Sequence, residues 1–391
     1  MTTKILQIPV ALGLSLLLWS GAGLAETRCH NESFSVITDF DGANIHSCHF
    51  ATTDLVEVEI RPEDEPINKS PWYGFRVSST EGGTLRVVLN YDGYKHRYKP
   101  NISLDRQRWQ ALPDDAVELD EAEERATFLL KLPESRSVYV TAQPLLTSSD
   151  YEAWLEGLAS SGAIEVSTVG RSIDDRPLWR GTTTPKPHTL LLLGRQHPPE
   201  VTGAVAMMSF VERLMEADEL ASQFREQVAI VMYPLVNPDG VDKGYWRHNF
   251  QGKDLNREWG PFSQPENRII DANVRQWLES EDSQLIKAID FHSTYYDVFY
   301  TQADRSARIY PDLLGDWLVM FQEGMLEDRP DFEIRRQISK NPQQTAAKHY
   351  FFTEYDVSST TLEIGDRSTI PQIKAYGRVA AEAFMAAWLK Q

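Results

Sequence analysis

The chain has 391 residues, 41% of them hydrophobic, and sets 57 acidic against 39 basic side chains for a net charge of -18. That length calls for two or three domains with sizeable cores, and the ordinary composition excludes a disordered, collagenous or low-complexity chain. The acidic excess argues against nucleic acid as a partner.

The first 25 residues place Lys4 before an apolar run that ends in small residues, Gly23-Leu24-Ala25. This is the pattern of a secretory signal peptide cleaved after Ala25. The run is short for a spanning helix, so the mature chain is expected to be exported, periplasmic or secreted, without a membrane span. Export permits oxidation, and the two cysteines, Cys29 and Cys48, are expected to pair as a disulfide. The alternative is a small metal site with His30, His46 or His49, for which the spacing matches no standard zinc pattern.

Residues 26–145 read as an antiparallel β-sandwich. Val56, Val58 and Ile60 alternate with polar neighbours, as do Leu85, Val87 and Leu89, and again Phe128, Leu130 and Leu132. Such period-two runs, separated by the turn signals EGG (81–83) and YDG (91–93), predict short half-buried strands. The acidic stretch 114–124 is expected to be a solvated loop.

From residue 146 to the C-terminus the texture changes. Ser148, Ser149 or Asp150 can cap a helix over YEAWLEGLAS. Strand candidates at 190–193, 228–233, 286–291 and 358–364 then alternate with amphipathic helices at 201–215 and 269–278, and a helix at 376–389 closes the chain. Apolar runs without alternation suit strands covered on both faces, which predicts an α/β domain with a central sheet flanked by helices.

In such sheets ligands gather at the carboxyl ends of the strands. Here the run 190–193 leads to His197 and Glu200, 228–235 to Asn237-Pro-Asp-Gly240, 286–291 to His292, and 360–362 to Glu363. His197 and Glu200 flank two prolines, which a helix tolerates in its first turn. With His292 they make a His, Glu, His set with a position open for water, the donor set of a catalytic zinc, although it suits other transition metals too. By itself the HPPE pair is a weak signal; the later segments give it weight. A nucleophile-elbow GxSxG is absent, which disfavours a serine hydrolase.

Taken in order, HPPE (197–200), NPDG (237–240), GYWRHNFQGKDLNREW (244–259), DFHS (290–293) and TTLEIGD (360–366) resemble the zinc carboxypeptidase family typified by carboxypeptidases A and B. The style is nearest to the cytosolic-carboxypeptidase-like branch, which sets a β-sandwich before the catalytic domain. The resemblance implies a carboxypeptidase-like domain with a central mixed sheet and one zinc ion per chain, held by His197, Glu200 and His292. It implies Glu363 as the general base that activates the attacking water and Arg247 as the group that stabilises the oxyanion. Asn256 and Arg257 would bind a substrate's terminal carboxylate, and Asp254 would orient His197. The implied partners are the C-termini of peptides or proteins. Other readings are a zinc amidase acting on cell-wall peptides and a catalytically inactive peptide-binding relative. Lys340 and Lys348 are candidates for reading acidic C-terminal side chains, though the sequence around them departs from the branch's arginine-containing pattern. Tyr350 and Tyr355 match no assigned closing tyrosine. His248 is expected to be a neighbour of Arg247 and no ligand, and His96, His188 and His349 to be structural or exposed.

Overall fold

The computed structural model describes residues 27–339 and 345–391. The signal peptide expected at residues 1–25 and the candidate Lys340 lie outside the described residues.

The alternating runs become strands. In chain order these are β1 (Thr27–His30), β2 (Phe34–Ile37), β3 (Ser47–Thr52), β4 (Leu55–Glu59), β5 (Gly74–Ser79), β6 (Gly83–Asn90), β7 (Asn101–Ser103), β8 (Gln110–Ala111), β9 (Val117–Leu119), β10 (Arg125–Leu132) and β11 (Arg136–Thr141). They form two sheets, ordered β1-β2-β5-β11-β7-β8 and β3-β4-β6-β10-β9. Every second residue of the predicted runs points inward: Val56, Val58, Leu85, Val87, Leu89, Phe128 and Leu130 share one core with Phe75, Val77, Val138 and Val140 of the facing sheet. This is the expected sandwich, with one departure from antiparallel pairing. β4 and β6 run parallel, because the chain crosses to the opposite sheet to make β5 before it returns.

The stretch 114–124 is more than a loop. It holds a 3-10 turn at Asp114–Ala116 and the edge strand β9, which pairs antiparallel with β10. Three residues with an exposed Leu119 are too few to show an alternation. Cys29 on β1 and Cys48 on β3 are joined as a disulfide that ties an edge of one sheet to an edge of the other. As a disulfide they are not available as thiolate ligands. Closing a loop of this length removes about 3 kcal/mol of unfolded-chain entropy.

The remainder comprises α1 (Ser148–Ser160), β12 (Glu165–Arg171), β13 (Pro177–Thr182), β14 (His188–Gly194), α2 (Val201–Leu214), α3 (Glu219–Gln227), β15 (Val228–Tyr233), α4 (Pro238–Lys243), α5 (Pro265–Ser280), β16 (Gln284–Thr294), β17 (Val298–Thr301), α6 (Leu313–Asp328), β18 (Arg336–Ile338), α7 (Ala347–Tyr355), β19 (Ser359–Gly365) and α8 (Ile370–Trp388). One mixed sheet runs β12-β13-β15-β14-β16-β19-β17-β18. Its centre, β15-β14-β16-β19, is parallel. Leu190 and Leu192 pack against α2, α6 and α8 on one face, while Leu191 and Leu193 pack against α5 and α7 on the other. All four are fully buried, each contributing roughly 2 kcal/mol of apolar burial. Burial on both faces is why this strand shows no period-two pattern.

Three boundaries differ from expectation. The residue at the N-cap of α1 is Thr147, whose backbone N–H donates to Asp150 at 2.7 Å. The closing helix starts at Ile370, six residues before the apolar periodicity, where the Thr369 amide donates to Gln372 at 2.9 Å and Pro371 occupies the first turn. β16 continues past its apolar run to Thr294, so His292 lies within the strand and not after it, as Glu363 lies within β19. They are register partners in adjacent parallel strands. The apolar pattern stops there because the sheet's carboxyl edge faces a polar cleft.

Candidate metal centre and its cleft

β14 ends in a loop that delivers His197, and the loop ends in Glu200, which occupies the N-cap of α2. The prolines between them precede the helix instead of opening it. Pro198 is fixed by its carbonyl, which accepts from Nε of Arg195 at 2.9 Å. His292 comes from β16, one strand over. Gly203 permits this approach of α2 to β16, since a β-carbon there would meet the carbonyl oxygen of His292 at 2.2 Å.

Three side chains therefore converge. His197 Nδ1 lies 2.9 Å from Glu200 Oε1, His292 Nδ1 lies 2.7 Å from Glu200 Oε2, and the two Nδ1 atoms are 3.2 Å apart. Two imidazole nitrogens bound to one tetrahedral zinc at ordinary Zn–N distances stand about 3.3 Å apart. The donor set and its spacing fit a divalent cation, and among the described residues this is the one such trio.

The far nitrogen of each ring is held by a carboxylate. His197 Nε2 lies 2.9 Å from Asp254 Oδ1, and His292 Nε2 lies 2.7 Å from Asp290 Oδ2. With Nε2–H donating outward, each Nδ1 lone pair is left facing the centre, the arrangement that orients metal-binding histidines. Asp290 was not singled out by sequence reading, although it stands two residues before His292 on the same strand face, a spacing that could have revealed it. Gln196 steadies it with a 2.8 Å bond from Nε2.

Charge distribution follows from this crowding. Burial opposes ionisation of Glu200, but the two histidines outweigh it and hold its carboxyl well below the usual range. Burial likewise opposes the charge on Asp254, and His197, Arg247 and Arg257 overcome it in the same direction. Glu363 goes the other way. Burial, reinforced by the neighbouring charge of Glu200, pushes it up to about 7 against the pull of His292 and His197. Its Oε2 is buried without a hydrogen-bond partner among the described residues, and such an atom facing a polar cleft is a chemical opportunity for a proton or a water.

These groups line a cleft of about 420 Å³ that also contains Arg247, Asn256, Arg257 and Lys348. Arg247 is braced by Nε to Asp254 Oδ2 at 2.8 Å. The 3-10 turn Leu255–Arg257 presents Asn256 and Arg257. Asn256 Oδ1 accepts from the amide of Ala347 at 2.9 Å, and its Nδ2 lies 3.3 Å from His292 Nε2. Lys348 is buried with Nζ 4.7 Å from the centre of the Tyr300 ring, and burial lowers its amine to about 8.

The sandwich reaches the cleft as well, through Asn68, Ser70 and Arg97. Nothing in the spacing of the sequence pointed to them. Arg97 donates from Nε and Nη2 to Asp366 Oδ2 at 2.9 and 2.7 Å, yet burial outweighs that partner and raises Asp366 to about 6. Tyr350 and Tyr355 sit away from the cleft, stacked against Trp259 and Phe351, whereas Tyr300 of β17 lines it. His248 is buried with Nδ1 3.5 Å from Glu63. His96 bonds the hydroxyl of Tyr91, and His188 packs between Tyr310 and Trp388. His349 is buried on α7.

A family model described as zinc carboxypeptidase matches residues 151–376, more than half of the chain. A second, described as the cytosolic carboxypeptidase N-terminal domain, matches residues 36–142. Human cytosolic carboxypeptidase 6 is 21% identical over 290 residues, covering 65% of this chain and 56% of that protein. An uncharacterized protein of Zymomonas mobilis is 26% identical over 240 residues, covering 59% of this chain and 61% of that one. The chain thus spans less than two thirds of the length of either relative. A metallo-carboxypeptidase from Burkholderia cenocepacia has a TM-score of 0.73 at 21% identity, over 92% of this chain and 100% of its own. A metallo-carboxypeptidase from Pseudomonas aeruginosa, solved in complex with (2-guanidinoethylmercapto)succinic acid, gives 0.70 at 20% identity over 90% and 98%. At these identities the likeness to the two structures is one of fold.

Proposed function

The chain belongs to the zinc carboxypeptidase family, and on that footing we propose that it hydrolyses the last peptide bond of peptides or proteins. The observation that carries the proposal is the convergence of His197, Glu200 and His292 in one cleft with Glu363, whose buried Oε2 has no hydrogen-bond partner among the described residues. His197, Glu200 and His292 would hold one zinc ion. When bound, zinc supplies a Lewis acid for the scissile carbonyl and a lowered pKa for water.

The other roles belong to the chain's own residues. Glu363, its proton affinity set near neutrality by burial beside Glu200, takes the proton of the attacking water and passes it to the departing amine. Arg247, anchored through Nε on Asp254 and lining the cleft, meets the carbonyl oxygen with its terminal nitrogens as negative charge develops there. Arg257 and Asn256 receive the terminal carboxylate, for which a planar guanidinium offers two parallel donors. Asp254 and Asp290 hold the rings of His197 and His292 in place.

Arg257→Ala tests the choice of chain end. The wild type is expected to cleave a peptide with a free C-terminus at least a hundredfold faster than its amidated twin, and the variant is expected to lose most of that ratio through a higher KM for the free acid. An unchanged ratio removes Arg257 from this role.

Side-chain preference is part of the same proposal. Lys348, a buried amine in a cleft also lined by Arg97, Arg247 and Arg257, suits an acidic C-terminal residue. Lys348→Met is expected to lower kcat/KM for C-terminal Glu about tenfold or more relative to Phe, as read from matched peptides; loss on Glu equal to loss on Phe counts against it.

We also propose export. Its support is the signal-like segment ending at Ala25 and the Cys29–Cys48 disulfide, which suits an oxidising compartment. Among the described residues no helix is long and apolar enough to cross a membrane. The division into a sandwich at 26–145 and a catalytic domain at 146–391 belongs to the proposal too, supported by two family models that fall on either side of it.

A further inference from the structure

Three consecutive backbone amides in the catalytic half converge on one carboxylate that comes from the sandwich. Glu63, in the connection between β4 and β5, accepts from the N–H of Trp246 at 2.7 Å through Oε2, and from those of Arg247 at 3.0 Å and His248 at 2.8 Å through Oε1. Its side chain is only 5% exposed. A carboxylate costs too much to bury without compensation, and here successive amides meet its charge as they would a bound anion.

The segment so gripped is the one that carries Arg247. Its other contacts with the sandwich reinforce the hold. The carbonyl of Asp242 accepts from the amide of Gly42 at 2.7 Å, and that of Gly244 accepts from Asn44 Nδ2 at 2.8 Å. Trp246 inserts its ring into the sandwich core, with Nε1 donating to the carbonyl of Trp72 at 3.2 Å and the ring meeting Tyr94 edge-on. The Arg247 side chain lines the cleft, where Nε meets Asp254 and Asp254 in turn meets His197. A continuous path therefore runs from a sandwich carboxylate, through the arginine's own amide, to the metal centre.

We propose that Glu63 is a positioning residue for hydrolysis: it fixes the backbone from which Arg247 presents its guanidinium, so that the sandwich completes the catalytic site. This rests on the proposed oxyanion role of Arg247. The carboxylate is required because all three contacts are donors. A glutamine keeps the shape but turns an NH2 toward amide N–H groups, which displaces the segment without opening a cavity. Displacements of about 1 Å in a positioning group can cost on the order of a hundredfold in rate.

The test is a double-mutant cycle in the full zinc-loaded chain, comparing wild type, Glu63→Gln, Arg247→Ala and the double variant on a peptide with a free C-terminus. Glu63→Gln is expected to lower kcat roughly 10- to 100-fold while KM stays within about threefold and zinc remains at one per chain. In the Arg247→Ala background the same substitution is expected to change kcat less than about threefold, because a residue that acts through the arginine has nothing left to place. Equal losses in both backgrounds, or a normal kcat in Glu63→Gln beside a slow Arg247→Ala, overturn the inference alone. An Arg247→Ala chain with undiminished kcat overturns the oxyanion reading and the inference with it. Should the glutamine variant not fold, Glu63→Asp, which keeps the charge but shortens its reach, carries the same expectations in the same cycle.

Discussion

Glu363→Gln is expected to lower kcat roughly a thousandfold and leave the zinc content at one ion per chain. General acid–base groups supply about a hundred- to ten-thousandfold, and Glu363 has the features of one. It projects from β19 beside His292 in register, burial and Glu200 push it up to about 7, and Oε2 has no partner among the described residues. Glutamine preserves volume and polarity and removes only the ability to take a proton, so His197, Glu200 and His292 keep their places. The sign of the pH dependence follows. The ionised form is the base, so kcat/KM falls as the pH drops through the group's pKa, about 7 or below it once a divalent cation adds its positive charge. That acid limb is expected to vanish in the glutamine variant. Near-normal turnover in Glu363→Gln, or an acid limb that survives the substitution, would mean that another group is the base.

The second large effect is expected at the metal centre. His292→Ala removes one of three converging donors and is expected to drop bound zinc from one per chain to less than a tenth, with activity lost in proportion. Asp290→Asn leaves all three donors in place. It is still expected to weaken zinc binding about 10- to 100-fold, the usual consequence of releasing the carboxylate that orients a ligating imidazole. Competition against a chromophoric chelator measures both. Full zinc occupancy in His292→Ala would show that the ion sits elsewhere.

Much of this arrangement was legible before any coordinates. The buried strands at 190–193 and 228–233 stand out because both faces are covered, and a run of leucines needs no alternation when α2 lies on one side and α5 on the other. His197, Glu200, His292 and Glu363 were visible because each follows such a run, and the sheet brings all four to one edge. What escaped notice was set by contacts distant in sequence. Asp290 is within a quoted motif, but its bond to His292 depends on both residues sharing one strand face. Glu63, Asn68, Ser70 and Arg97 lie a hundred residues or more before the first zinc-ligand candidate, in segments whose own pattern speaks only of a sandwich. The short strands β12, β13, β17 and β18 are partly exposed or only three to seven residues long, so tertiary pairing decides them and local propensity does not. The prolines of HPPE looked like helix openers because Pro is common in a first turn. In fact Glu200 takes the N-cap, and the prolines shape the loop that aims His197.

The most direct measurement is a time course of peptide digestion read by mass spectrometry, run on zinc-loaded protein and on protein stripped by a chelator. A zinc carboxypeptidase removes residues singly from the free C-terminus, spares amidated peptides, stops when stripped and resumes when zinc is restored. Cleavage at internal bonds, release from the N-terminus, or undiminished cleavage by the stripped protein would contradict the account.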